Sequence, residues 1–233
     1  MKLLAIECSH PPMSVAVQAD DRAVLKVGSV WQKTSEEIIP LIDTALNEAG
    51  LSPHDLDAIV ISEGPGSFTA LRIGFSTAKG LCFALEKPLV AVGTLDAIAA
   101  SVAHDVESET IVSLIYSKAD EFYVGIASRN TLIYQAFTTD EPSVKKTYQT
   151  ISELEERLGK GTDAVVVGRV AERWRDVLNE KFHWKDATQF SAQTLLGLGE
   201  EKLRRKRFSA LETAEPFYIK QFEAKTSERK FFG

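Results

Sequence analysis

Gly64-Pro65-Gly66-Ser67-Phe68-Thr69-Ala70-Leu71-Arg72-Ile73-Gly74 joins the two segments whose reading decides the fold. Ahead of it, residues 57–62 hold the unbroken apolar run Ile59-Val60-Ile61, the mark of a strand covered on both faces of a sheet. Behind it, residues 70–85 repeat apolar side chains at helical spacing. The joining loop, residues 64–69, has two readings. Its backbone N–H groups and the start of the helix can cradle an anion, with Gly64, Gly66 and Ser67 as contacts. Alternatively, Pro65 makes a rigid turn that sets the angle of the helix. The loop is not a Walker loop, because no Lys-Ser/Thr pair follows the glycines. Nor is it a dinucleotide fingerprint, because Thr69 stands where the third small residue is required.

Towards the N-terminus, residues 3–7, 14–18 and 23–27 are strand-length apolar runs separated by His10-Pro11-Pro12 and Asp20-Asp21. They read as an antiparallel meander. Residues 35–49 form a helical pattern ending at Gly50, where a left-handed terminator is expected. Pro40 lies inside it, so this helix is expected to kink or to start late. Towards the C-terminus come a strand at 89–92 and a helix at 95–103, completing a mixed sheet with crossover helices.

The polar stretch 104–109 reads as a boundary between residues 1–103 and 104–233. Beyond it, strands are expected at 111–115, 122–127 and 131–137, a helix at 152–158, a strand at 164–168 and a helix at 171–178. A last helix, 194–208, is expected to pack back on the first half. The same order of elements in both halves predicts a duplicated α/β fold.

On residues 35–49 the apolar side chains span an arc of roughly 160°, and on residues 70–85 roughly 200°, against about 100° for a helix lying on one sheet. Either the rest of the chain or a partner covers the surplus. The partner reading nominates Ile38, Ile42, Leu46, Leu71, Phe75, Ala78 and Cys82 as contacts. Gly74 and Ala78, four apart, would let another backbone approach closely. The alternative is a helix pair at the centre of a compact fold.

Composition excludes several classes. Of 233 residues 44% are apolar and 26% charged, and no apolar run reaches the ~18 residues of a membrane span. Two cysteines cannot build a disulfide framework or a four-thiolate zinc site. The five apolar residues before Glu7 are too short for a signal-peptide core, so a cytoplasmic protein is expected. His10, His54, His104 and His183 are 44, 50 and 79 apart, without metal-ligand spacing. There is no Gly-x-Ser-x-Gly elbow and no evident acid–base pair, which points away from catalysis. Net charge is −6, yet residues 202–233 carry nine basic and four acidic side chains. Lys202, Arg204, Arg205, Lys206 and Arg207 are therefore candidate tRNA contacts, the alternative being a solvated helix face.

The opening stretch, continued to Ala78-Lys79-Gly80, closely resembles the signature of the TsaB (YeaZ) family, a bacterial subunit used to make threonylcarbamoyladenosine on tRNA. Leu4-Ala5-Ile6-Glu7, Ser35-Glu36 with Pro40-Leu41-Ile42, Thr94-Leu95-Asp96-Ala97 and Ala214-Glu215-Pro216-Phe217-Tyr218 are similar to further pieces of that family. The resemblance implies an actin/sugar-kinase-like fold of two ribonuclease-H-like lobes. It implies a non-catalytic scaffold for the paralogue TsaD, which installs threonylcarbamoyl on N6 of adenosine 37. It also implies the ATPase TsaE as third subunit, tRNA bound through the complex, and homodimerisation through the two N-terminal helices when TsaD is absent. No intrinsic cofactor is implied beyond ATP or ADP at the complex interface, with Glu7, Ser9, Gly64, Gly66 and Ser67 as a vestigial phosphate site. Departures fall at nucleotide-facing positions. Glu7 replaces an aspartate, Gly168-Arg169-Val170-Ala171 replaces Gly-Asp-Gly-Ala, Thr34 replaces a histidine, and residues 116–123 keep only the end of the second-lobe segment. Rival readings are a nucleotide-dependent phosphotransferase of the same fold, a metallopeptidase, and a direct tRNA binder.

Overall fold

The structure, a computed structural model, describes residues 1–135, 144–159, 162–187 and 190–219. The first sheet takes β1 (Lys2–Glu7), β2 (Ser14–Ala19), β3 (Arg22–Val27), β4 (Ala58–Gly64) and β5 (Leu89–Gly93) in the order β3-β2-β1-β4-β5. Its first three strands are an antiparallel meander, and β4 and β5 join parallel to β1. Ile6 sits between Val15 on one side and Ile61 on the other. Leu3 to Ile6 are wholly buried, which is why β1 reads as a continuous apolar run rather than an alternation.

The second sheet repeats the plan. It takes β6 (Thr110–Lys118), β7 (Glu121–Ser128), β8 (Lys145–Thr150), β9 (Ala164–Arg169) and β10 (His183–Asp186) in the order β10-β9-β6-β7-β8. Again three antiparallel strands precede two parallel ones. This is the duplicated, two-lobed ribonuclease-H-like architecture of the actin/sugar-kinase type.

α1 (Thr34–Ala49) and α2 (Phe68–Leu85) lie together on one face of the first sheet, burying Ile38, Ile42, Leu46, Phe75, Ala78 and Cys82 against Leu4, Ile6, Val15 and Ile61. α3 (Thr94–Ala100) and α6 (Ala192–Arg204) cover its other face, where Val60, Val90 and Val92 share a core with Ile111, Ile115, Val165 and Val167 of the second sheet. α4 (Ile151–Leu158) and α5 (Glu172–Lys181) close the far side of the second sheet, packing Leu154 and Leu178 on Val112 and Phe122.

α1 ends at Gly50, at φ 71°, whose N–H bonds to Asn47 O. It begins at Thr34, ahead of Pro40, so the expected late start does not occur. The N–H that proline lacks would have served Glu36, an exposed residue whose carbonyl lies within reach of water.

Three expectations are corrected. Residues 131–137 are not a strand: Thr131–Gln135 form a short π-helical turn, with Leu132 and Ile133 packed on the central core, and 136–137 lie outside the described residues. The third strand of the second sheet is β8, whose Lys-Lys-Thr-Tyr-Gln-Thr sequence lacks apolar alternation because it is an edge. The last helix ends at Arg204, not at 208. There the chain turns so that Ser209 N–H can donate to Leu89 O and its hydroxyl can accept from Ala91 N, capping the open edge of β5. From Ser209 it runs as a strap along the first lobe. Lys79 Nζ donates to Ala214 O at 3.0 Å, and Phe217 N–H to Glu63 O at 2.7 Å.

Candidate functional site

Two regions concern the residues singled out by sequence: the cleft between the lobes and the helix pair α1 and α2. In the cleft, Glu7 at the end of β1 is fully buried. Its Oε1 accepts from Ser9 N–H at 2.7 Å and from the Ser9 hydroxyl, while Oε2 has no partner. Burial pushes the Glu7 carboxyl above the usual range, against the pull of those bonds and of the Arg169 guanidinium. Arg169, at the end of β9, reaches into the same space, with a buried Nη1 that has no partner and its guanidinium 5.7 Å from the Phe190 ring centre. With Pro12, Ser14, Ser191, Gln193 and Thr194 it lines a cavity of about 400 Å³.

Of Gly64, Gly66 and Ser67, the last two pack on the β1–β2 turn there. Ser67 N–H is spent on Ser9 O at 2.8 Å, and Gly66 lies flat on the Ser9 backbone. A side-chain carbon at 66 would stand 2.8 Å from Ser9 Cβ. The loop thus holds the end of β4 against the β1–β2 turn. A magnesium–nucleotide does not fit this donor set. Glu7 spends Oε1 on Ser9, and a cation, Arg169, stands where the resemblance places an aspartate.

On the helix pair the nominated contacts need correction. Ile38, Ile42, Leu46, Leu71, Phe75, Ala78 and Cys82 are each 4% exposed or less. They form the inner face, against the chain's own sheet, and burial pushes the Cys82 thiol up to about 12. Gly74 likewise meets Cys8 Sγ and Ile61 rather than a partner. The surplus apolar surface sits one ridge away. Ile39 is 52% exposed and Phe83 79%. Between the helices runs an open groove of about 530 Å³ lined by Ile39, Phe68, Arg72, Ile73, Ser76 and Thr77. Further along the α2 ridge, a side chain at Gly80 would find no atom within 4 Å. An exposed mid-helix glycine costs about 1 kcal/mol relative to alanine, and nothing among the described residues recovers it.

The basic run does not form one charged stripe. Lys202 points inward and donates to Ala91 O at 2.6 Å, and burial lowers its pKa. Arg204 pairs with Glu200 and Arg205 with Glu201 along α6. Lys206 is exposed and Arg207 half-buried, in the turn beyond the helix. The rest of the basic tail, 220–233, lies outside the described residues. The histidines gather no metal site: among the described residues no group of three or more metal-binding side chains forms.

Sequence reading missed a half-buried ion-pair cluster between the lobes. Lys146 of β8 sits 2.6 Å from Asp96 of α3 and 3.9 Å from Glu63, beneath Phe217 of the strap. Its members are far apart in the chain, and no local pattern announces them. The outer groove did carry a signal: Ile39, Gly80 and Phe83 are out of phase with the buried stripe of their helices.

The sequence profile of the family described as "TsaD: tRNA N6-adenosine threonylcarbamoyltransferase" matches residues 29–161. The "tRNA threonylcarbamoyladenosine biosynthesis protein TsaB" of Haemophilus influenzae is 27% identical over 228 residues, 94% of each chain. The protein of the same name from Bacillus subtilis is 31% identical over 138 residues. That match covers 58% of this chain and 59% of that protein, under two thirds of its length. Among solved structures, a Pseudomonas aeruginosa protein "with similarity to peptidase YEAZ" superposes with a TM-score of 0.74 at 24% identity. It spans 94% of this chain and 99% of its own, a likeness of fold.

Proposed function

Because the chain belongs to the family described as TsaD, tRNA N6-adenosine threonylcarbamoyltransferase, we propose that it works in the synthesis of threonylcarbamoyladenosine on tRNA, as a docking and activating subunit for the transferase. The names of its full-length relatives support the pathway. The supporting observation for the docking role is the outer ridge of α1 and α2. There Ile39, Ile73 and Phe83 stand beside Ser76, Thr77 and Gly80, an apolar surface with small residues that admit a second backbone closely. A TsaD-type subunit is its proposed occupant, with a second copy of the chain taking the same face when that subunit is missing. A TsaE-type ATPase and the tRNA would join through the assembled pair, in the cytoplasm. Among the described residues no helix is long and apolar enough to cross a membrane.

Activation by docking obeys a simple limit. A partner shifts a two-state equilibrium only by its differential affinity, and turning a 1:99 population into 99:1 takes about 10⁴-fold. The contact must therefore be large and apolar, of about 800 Å² per side, so the groove and the exposed ridges of both helices are proposed to take part.

The test is co-purification with the TsaD-type subunit from the same cell and reconstituted threonylcarbamoyl transfer. The double variant Ile39→Glu, Phe83→Glu should lose both while keeping its own melting temperature, since both side chains are already exposed. Retention of the complex and of full transfer by a folded double variant would refute the docking face.

A further inference from the structure

Resting on that docking face, the structure assigns Arg72 as the anchor for a carboxylate carried by the docked partner, on an aromatic shelf built by Phe68 of α2 and Tyr218 of the C-terminal strap. Arg72 is exposed at the edge of the groove. Its guanidinium lies over the Phe68 ring, 3.9 Å from the centroid, and Nε–H donates to the Tyr218 hydroxyl at 3.4 Å. Tyr218 in turn packs on Phe68 with ring centres 5.2 Å apart. Among the described residues no carboxylate pairs with Arg72, although this chain pairs Arg175, Arg204 and Arg205 with acids. A guanidinium held flat by one ring and steadied by one hydroxyl keeps the edge with its Nη donors in a fixed orientation, the geometry that accepts a carboxylate in two parallel bonds.

The strap exists in this position because its backbone is fastened. Ser209 is bonded to β5, Lys79 holds the carbonyls of Glu212 and Ala214, and Phe217 is bonded to Glu63. Those anchors deliver Tyr218 to the mouth of the groove.

The surroundings choose the class of ligand. Ile39, Ile73 and Phe68 offer apolar contacts beside the guanidinium. On α1, Glu36 and Asp43 are exposed three before and four after Ile39, on the same stripe. A phosphate backbone would be repelled by that acidic rim. A protein helix with one acidic residue among aliphatic ones meets both the apolar floor and Arg72.

The test measures the affinity of the full chain for the purified TsaD-type subunit at low and high salt. Arg72→Met keeps the aliphatic stem and removes the charge. It should bind about 30-fold more weakly, with a flatter salt dependence and an unchanged melting temperature. Arg72→Lys keeps the charge without the fork and should fall between, and Tyr218→Phe should weaken binding severalfold by freeing the guanidinium. If Arg72→Met binds within twofold of wild type while Ile39→Glu, Phe83→Glu abolishes binding, the carboxylate anchor is wrong and the docking face stands. If neither substitution matters, the face itself is wrong and the anchor falls with it. If Arg72→Met lowers affinity for tRNA but not for the protein subunit, the ligand is nucleic acid and the inference is overturned.

Discussion

Gly66 and Gly80 are both glycines of the Gly64–Gly80 stretch, and the same added methyl meets opposite conditions at the two. At Gly66 it would collide with the backbone of Ser9, and at Gly80 it would meet nothing. The first lies on the cleft side, where the loop packs on the Ser9 backbone and Ser9 bonds to Glu7. The second lies on the outer ridge, where the chain leaves space it does not fill. On the cleft side the loop packs on the chain's own backbone, while on the outer ridge Ile39 and Phe83 stay exposed.

Substitutions can break or sharpen that contrast. The largest effect is expected from Gly66→Ala, which forces the turn off Ser9 and should cost about 3 kcal/mol by denaturant unfolding. An alanine tolerated there at full stability would mean the loop is not welded to the β1–β2 turn.

Glu7→Gln probes the cleft electrostatically. Burial raises the folded-state pKa of Glu7, so folding takes up a proton between the ordinary carboxyl value and the raised one. Stability therefore falls as pH rises through that window, and glutamine, which keeps an oxygen for the Ser9 donors, should gain on the wild type across it. The gain should level off above the raised value. Parallel stability–pH curves for the two proteins would show that Glu7 does not titrate as its burial dictates.

The smallest effect carries the opposite sign. Gly80→Ala should stabilise the isolated chain by about 0.8 kcal/mol, read as a higher denaturation midpoint at constant slope. Gly80→Leu should leave the isolated chain folded yet weaken association with a TsaD-type subunit about tenfold, because it fills the approach path. A leucine variant that associates normally would place the contact elsewhere.

The same contrast explains what the sequence disclosed. β1, β4 and the two helices are legible because one covered face imposes a period, and Gly50 ends α1 where a left-handed residue is needed. β8 and β10 escaped because edge strands carry polar residues, and the Thr-Leu-Ile run at 131 misled because β-branching is a propensity that packing on the core overrode. The wide apolar arcs were real, but an arc says how much surface is greasy and not which part faces home. The longest unbroken stripe, through Ile38, Phe75 and Cys82, belongs to the chain's own sheet. The outward face shows only as solitary misfits such as Ile39 and Phe83. Arg169 beside Glu7, and Lys146 beside Asp96, depend on two sheets meeting and have no local trace.

Amide hydrogen exchange of the chain, alone and saturated with a purified TsaD-type subunit, tests the central claim most directly. Protection should rise in peptides spanning residues 35–49 and 68–85 and at Tyr218, with little change around residues 9–14 and 190–194 of the cleft. Protection confined to the cleft, with the two helices exchanging as in the isolated chain, would contradict it.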